Sequence, residues 1–175
     1  MPKILLAVLA IVFLPACEQA PEETNDVLAI RCGSLIDGLA NETLGGRTVI
    51  VENERIAALL PPDAPVPQGA ELLDLSNSTC LPGLIDTHTH IALNHDDSSD
   101  LTVYYQRTMA DNMAITVANA KVTLEAGFTT IRNVGDYFPE AIVEARNRIR
   151  AGKIPGPRIQ TAGSYLTIPG GGGDL

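Results

Sequence analysis

Two histidines, His88 and His90, close the run Leu-Pro-Gly-Leu-Ile-Asp-Thr-His-Thr-His-Ile at residues 81–91. On a β-strand the side chains at i and i+2 share a face. The two imidazoles therefore converge, with Asp86 one step below them. Neutral imidazoles on one strand face suit a divalent metal, zinc most commonly. A bare His-x-His is more often two surface or core histidines, so its surroundings must decide. Here Pro82-Gly83 breaks the preceding segment and Leu84-Ile85 starts a buried strand with the histidines at its C-terminal end. In parallel α/β barrels that end is where chemistry is placed.

The elements around this strand read as strand–helix alternation, the mark of parallel βα units. The first strand is expected at Gly83 to Thr87, followed by a polar loop through Asn94-His95-Asp96-Asp97-Ser98-Ser99. A long helix is expected from about Leu101 to Ala126, with Met109, Met113, Val117, Ala120 and Leu124 forming one apolar face. Gly127 fits the position just past its end. Phe128 to Ile131 gives a second strand, Pro139 opens a second helix that Gly152 ends, and Arg158 to Ala162 gives a third strand. Arg146, Arg148, Arg150 and Lys153 crowd the end of that helix, where positive charge complements the helix dipole.

Residues 81–91 closely resemble the first barrel strand of the metal-dependent amidohydrolases, whose signature is Pro-Gly-x-x-Asp-x-His-x-His. Gly127-Phe128-Thr129-Thr130-Ile131-Arg132-Asn133-Val134-Gly135 resembles the second-strand motif of the imidazolonepropionase-like branch, which also contains proline dipeptidases. Ile154-Pro155-Gly156-Pro157-Arg158 resembles its third-strand lead-in. The resemblance implies an α/β fold, the N-terminal part of a (β/α)8 TIM barrel with about three βα strands over residues 81–175. It implies hydrolysis of C–N bonds in small cyclic amides or proline-containing dipeptides. His88 and His90 would hold the more buried of one or two divalent metals, Zn2+ by expectation, and Asp86 would orient a ligand by hydrogen bonding. Arg132 ends the second strand and is read either as a holder of a substrate carboxylate or as part of an internal ion pair. His95 is read as a solvated loop residue. In the family the other metal ligands and the aspartate general base come from later strands, beyond Leu175. A complete barrel takes ~250 residues, so the chain is read as the N-terminal portion of a longer enzyme, with no catalytic residue of its own and inactive alone. A non-catalytic lipoprotein with a binding role and a mononuclear deaminase on the same scaffold are the competing readings. Two positions depart from the family: Asn133 stands where aspartate is usual, and Gly172 where a Gly-Gly-His-Gly-Asp loop has its histidine.

Residues 27–80 read differently, as short strands broken by turns at Asp37-Gly38 and Asn53-Glu54 and by a proline loop at 61–67. They resemble the small β-sandwich subdomain that precedes the barrel in many amidohydrolases. Ahead of them, Lys3 and the apolar run Ile4 to Leu14 form a targeting segment too short to span a bilayer. It ends in Leu14-Pro15-Ala16-Cys17, which resembles a bacterial lipoprotein cleavage box. Residues 1–16 are thus expected to be removed and Cys17 to carry lipid, with 17–26 a polar tether. An ordinary secretory leader is the alternative. Glu18 after the cysteine points to the periplasmic side of the outer membrane by resemblance to bacterial sorting rules. The remaining Cys32 and Cys80 either pair, as an oxidising compartment allows, or stay as two buried thiols. A net charge of −9 with no basic stripe argues against nucleic acid as a partner. A small-molecule substrate, and a membrane reached through the lipid, are the partners expected.

Overall fold

Alternating strand patterns over 27–80 and βα patterns beyond 81 lead to two separate units, divided between Cys80 and Leu81. We describe residues 27–174 in a computed structural model; Cys17 and the rest of the targeting segment lie outside the described residues. No helix among the described residues is long and apolar enough to cross a membrane.

The first unit is one four-stranded sheet. Strands β1 (Val27–Leu35), β2 (Leu44–Glu52), β3 (Arg55–Leu60) and β4 (Glu71–Cys80) lie in the order β3-β2-β1-β4. β1–β2 and β2–β3 are antiparallel, and β1–β4 is parallel. Asp37 closes the end of β1 by accepting the backbone N–H groups of Leu39 and Ala40 at 2.8 and 2.9 Å. The β2–β3 turn has Asn53 and Glu54 at φ +50° and +62°, the left-handed pair that a two-residue hairpin requires. Cys32, Leu35 and Val49 form the buried cluster, with Ile30, Leu44, Val51 and Cys80 against it. Cys32 and Cys80 are disulfide-bonded, with Cα atoms 5.8 Å apart. A register shift brings them together: Cys32 lies opposite Leu75, but Leu35 lies opposite Cys80. The shift is centred on Gly33, where a Cβ would sit 2.2 Å from the Ser76 carbonyl oxygen, so no other residue fits without movement.

The second unit is a parallel sheet in the order β5 (Leu84–Thr89), β6 (Phe128–Asn133), β7 (Arg158–Thr161). Its crossovers are α1 (Val103–Gln106) with α2 (Met109–Glu125), and α3 (Pro139–Arg150). Ile131 and Ile159 on one face of the sheet pack against Ala120 of α2 and Ile142 of α3, with Ile91 completing the cluster. Arg132 and Gln160, alternating with those isoleucines, lie on the opposite, exposed face. The expected continuous helix from Leu101 is broken at Arg107-Thr108. Thr108 and Asp111 cap α2 reciprocally, the carboxylate accepting the Thr108 N–H at 2.8 Å. The buried stripe shares Ala120 with the apolar spacing but otherwise runs through different residues. Asn112, Thr116 and Ala120 are the buried residues of α2, while Met109 is exposed and Met113 and Val117 are half-buried beside α3. Polar residues can take the buried stripe because their donors are met by their own helix: Thr116 Oγ1 donates to the Asn112 carbonyl at 2.7 Å and Asn112 Nδ2 to that of Thr108 at 3.0 Å.

Candidate metal centre

Three loops follow the C-terminal ends of β5, β6 and β7, and they meet at His90. The first strand starts close against its neighbour: a Cβ on Gly83 would lie 2.2 Å from the Thr129 side chain, which explains the glycine before Leu84. The strand runs two residues further than expected, to Thr89, so that His88 is in the strand and His90 just past it. Their ring centroids are 5.5 Å apart and the rings are nearly perpendicular. His88 is exposed and His90 half-buried. Asp86 does not reach a ring; its Oδ1 accepts the backbone N–H of His88 at 3.0 Å and so fixes the chain between the two histidines.

His90 is held by its Nδ1. The Gly135 carbonyl oxygen lies 3.1 Å away, and the Tyr165 hydroxyl 2.9 Å away. A carbonyl can only accept, so Nδ1 carries the proton and Nε2 keeps its lone pair. That is the tautomer a metal-binding histidine needs, with the second nitrogen bonded to a backbone carbonyl. The carbonyl is itself placed. Asn133, fully buried, accepts the Ile91 N–H at 3.0 Å through Oδ1, which turns its Nδ2 towards Gly135 O at 3.3 Å and Asp136 Oδ2 at 3.4 Å. Asn119 of α2 donates to the carbonyls of Ile91 and Leu93 at 2.9 and 3.0 Å, tying down the chain just beyond His90.

The electrostatics are set by burial. Asp136 is almost fully buried, and loss of water pushes its carboxyl above the ordinary value, opposed by hydrogen bonds from Phe138 N and Asn133. Tyr165 is pushed up to about 12, chiefly by burial, so it is a neutral phenol across the physiological range. The loop after β5 is less solvated than its sequence suggests. Asp97 is buried and forms a two-pronged ion pair with Arg107 at 2.5 and 2.6 Å, which holds its carboxyl below the usual range. The backbone of His95 begins a short 3-10 turn, His95–Ser99, and the His95 side chain lies outside the described residues.

Arg132 forms no ion pair among the described residues. Its Nε donates to the Thr87 carbonyl at 2.8 Å, and Thr89 Oγ1 donates to the Arg132 carbonyl at 3.2 Å, lacing β5 to β6 beside the histidines. It also lines a shallow cavity of about 340 Å3 with Val134, Gln160 and Ala162. Among the described residues no group of three or more His, Cys, Asp or Glu side chains comes together. The donor set is therefore two imidazoles, chemically fit for zinc but short of the three or four protein ligands zinc usually takes. Gly135, Asn133, Tyr165 and Asn119 were not singled out as supports of this pair from sequence.

Comparison with known proteins identifies the family. Residues 79–174 match the Amidohydrolase family. Over 43 residues the chain is 54% identical to an allantoinase of Streptomyces avermitilis, covering 25% of this chain and 10% of that enzyme. It is 27% identical over 161 residues to an ochratoxinase of Aspergillus niger, covering 89% of this chain and 32% of the enzyme. Among solved structures, a Xaa-Pro dipeptidase with bound methionine superposes with a TM-score of 0.76 at 27% identity, over 85% of this chain and 36% of the dipeptidase. The chain thus spans about a third, or less, of the length of each of these proteins.

Proposed function

Because the chain belongs to the amidohydrolase family, we propose that His88 and His90 are metal ligands of a hydrolase that cleaves C–N bonds in small cyclic amides or proline-containing dipeptides. The observation that carries this reading is the Nδ1 contact of His90 with the Gly135 carbonyl, which leaves Nε2 free to bind a cation. Similarity to an allantoinase in sequence and to a Xaa-Pro dipeptidase in structure supports this choice of substrate class. A zinc ion bound there would supply a hydroxide near neutral pH and polarise the substrate carbonyl. His88 and His90 bind from the strand end, Asp86 fixes the backbone between them, and Asn133 and Asn119 hold the following loop. Arg132 lines a shallow cavity with Val134 and Gln160 and is a cation that could hold a substrate carboxylate.

Two imidazoles are short of a full ligand set, so the 175 residues as they stand should bind Zn2+ weakly and turn over nothing. Zinc titration against a chromophoric chelator, with Xaa-Pro dipeptide and cyclic-amide assays alongside, tests this. His88→Ala and His90→Ala should each abolish the weak binding. Zinc uptake unchanged in both variants would refute the metal site. Stoichiometric zinc that survives dialysis, or chelator-sensitive turnover, would refute the shortage of ligands.

We further propose export, with Cys17 the lipid-bearing N-terminus on the periplasmic side of the outer membrane. The Cys32–Cys80 disulfide supports an oxidising compartment. Labelled palmitate should enter the protein in a bacterial host and fail to enter Cys17→Ser; equal labelling would refute the anchor.

A further inference from the structure

Tyr165 lies in the loop after β7, 75 residues from His90, yet several contacts place it there. Its backbone N–H donates to the Asp136 carbonyl at 3.4 Å. Its ring sits edge-on to Tyr137, centroids 4.8 Å apart, and Tyr137 packs on the buried Tyr104 at 4.6 Å. The Tyr137 hydroxyl donates to the Gly172 carbonyl at 2.8 Å, drawing the glycine run over the tyrosines. Two glycines then leave room for the Tyr165 side chain. A Cβ on Gly135 would lie 2.5 Å from the ring, and one on Gly173 would lie 2.7 Å from the Tyr165 Cβ. The outcome is a phenol oxygen 2.9 Å from His90 Nδ1, beside the carbonyl at 3.1 Å.

We propose that Tyr165 is a positioning residue for His90: its oxygen, with the Gly135 carbonyl, shares the Nδ1 proton and locks the ring in the tautomer whose Nε2 binds metal. The carbonyl fixes the direction of the proton, because it cannot donate. The phenol oxygen is then the second acceptor of a shared hydrogen bond, and two acceptors on Nδ1–H favour a more basic Nε2. The loop after the third strand of the sheet thereby sets the state of a ligand on the first. A free imidazole has no such restraint, and removing one acceptor should let the Nε2–H tautomer populate.

The affinity part of this inference rests on the metal reading above; the tautomer part does not. The test is therefore made twice on the full chain. Nitrogen-15 NMR of the metal-free protein should show His90 with Nδ1 protonated, and Tyr165→Phe should raise the Nε2–H population severalfold while keeping the ring packing. Zinc titration should show a dissociation constant about tenfold weaker in Tyr165→Phe. Gly173→Ala, which displaces Tyr165 without touching His90, should move both readouts the same way. Unchanged His90 nitrogen shifts in Tyr165→Phe would overturn the proposal. If those shifts move but zinc uptake is the same in wild type, His88→Ala and His90→Ala, the metal reading fails and the tyrosine's role stands.

Discussion

Reduction of the Cys32–Cys80 bridge should unfold the first unit and spare the second. The bridged residues are 48 apart in sequence. Closing a loop of that length removes unfolded-state entropy worth about 4 kcal/mol at 25 °C on the chain-entropy model. A unit of about 55 residues holds only about 3–8 kcal/mol in total. The bridge thus supplies half or more of the stability available. With a urea slope of about 1 kcal/mol per M for so small a unit, the midpoint should fall by about 4 M, or the reduced sheet should fail to form. Hydrogen exchange read by mass spectrometry separates the units: amides of β1–β4 should lose protection in reductant, while those of β5–β7 should keep theirs. Fluorescence gives an independent check, because all four tyrosines, Tyr104, Tyr105, Tyr137 and Tyr165, lie in the second unit and the chain has no tryptophan. Full protection of β1–β4 in the reduced protein, with cysteine alkylation confirming reduction, would refute the reasoning.

Gly135→Ala should destabilise the protein by about 1–3 kcal/mol by forcing a methyl into the Tyr165 ring, measurable as a lowered thermal midpoint. Asp97→Asn should cost about 3 kcal/mol, because it breaks a buried ion pair with Arg107. Since the folded carboxyl lies below its ordinary value near 4, that stability is present above pH ~4 and is lost as pH falls through the depressed value. The wild-type minus variant difference in urea stability should therefore be flat above pH ~5 and close in more acidic solution. Glu54→Gly should stabilise the first unit by about 0.5–1 kcal/mol, since glycine occupies the left-handed turn without strain; a urea midpoint that falls would contradict this.

The parts legible in sequence were those that carry a period or a break. Pro82-Gly83 followed by two apolar residues announced a strand, though Leu84 and Ile85 are exposed where a buried strand was expected, and its period of two put His88 and His90 together at its C-terminal end. The βα alternation announced the parallel sheet, because each strand–helix change is a change of period. The supports of His90 were not legible, because Gly135 and Tyr165 reach it from loops 45 and 75 residues away, and loops have no period to read. The break before α2 had a local signal in Thr108-x-x-Asp111, outweighed by the apolar spacing that runs through it. The disulfide depended on a register shift at Gly33, which no spacing of two cysteines can encode.

Asn133 has an evolutionary consequence. Its Oδ1 takes the Ile91 N–H while its Nδ2 faces both the Gly135 carbonyl and the carboxylate of Asp136. An aspartate here, the residue usual in the resembling family, would keep the first bond. It would also set a second carboxylate against the buried Asp136 and take from the Gly135 oxygen its amide donor, leaving His90 Nδ1–H alone on it. The two positions are therefore bound as a pair. A lineage that carries aspartate after the second-strand arginine must carry something other than a buried carboxylate three residues later, and a lineage that drifts at one position alone passes through a less stable intermediate. Among relatives, Asn133 and Asp136 should change together rather than separately.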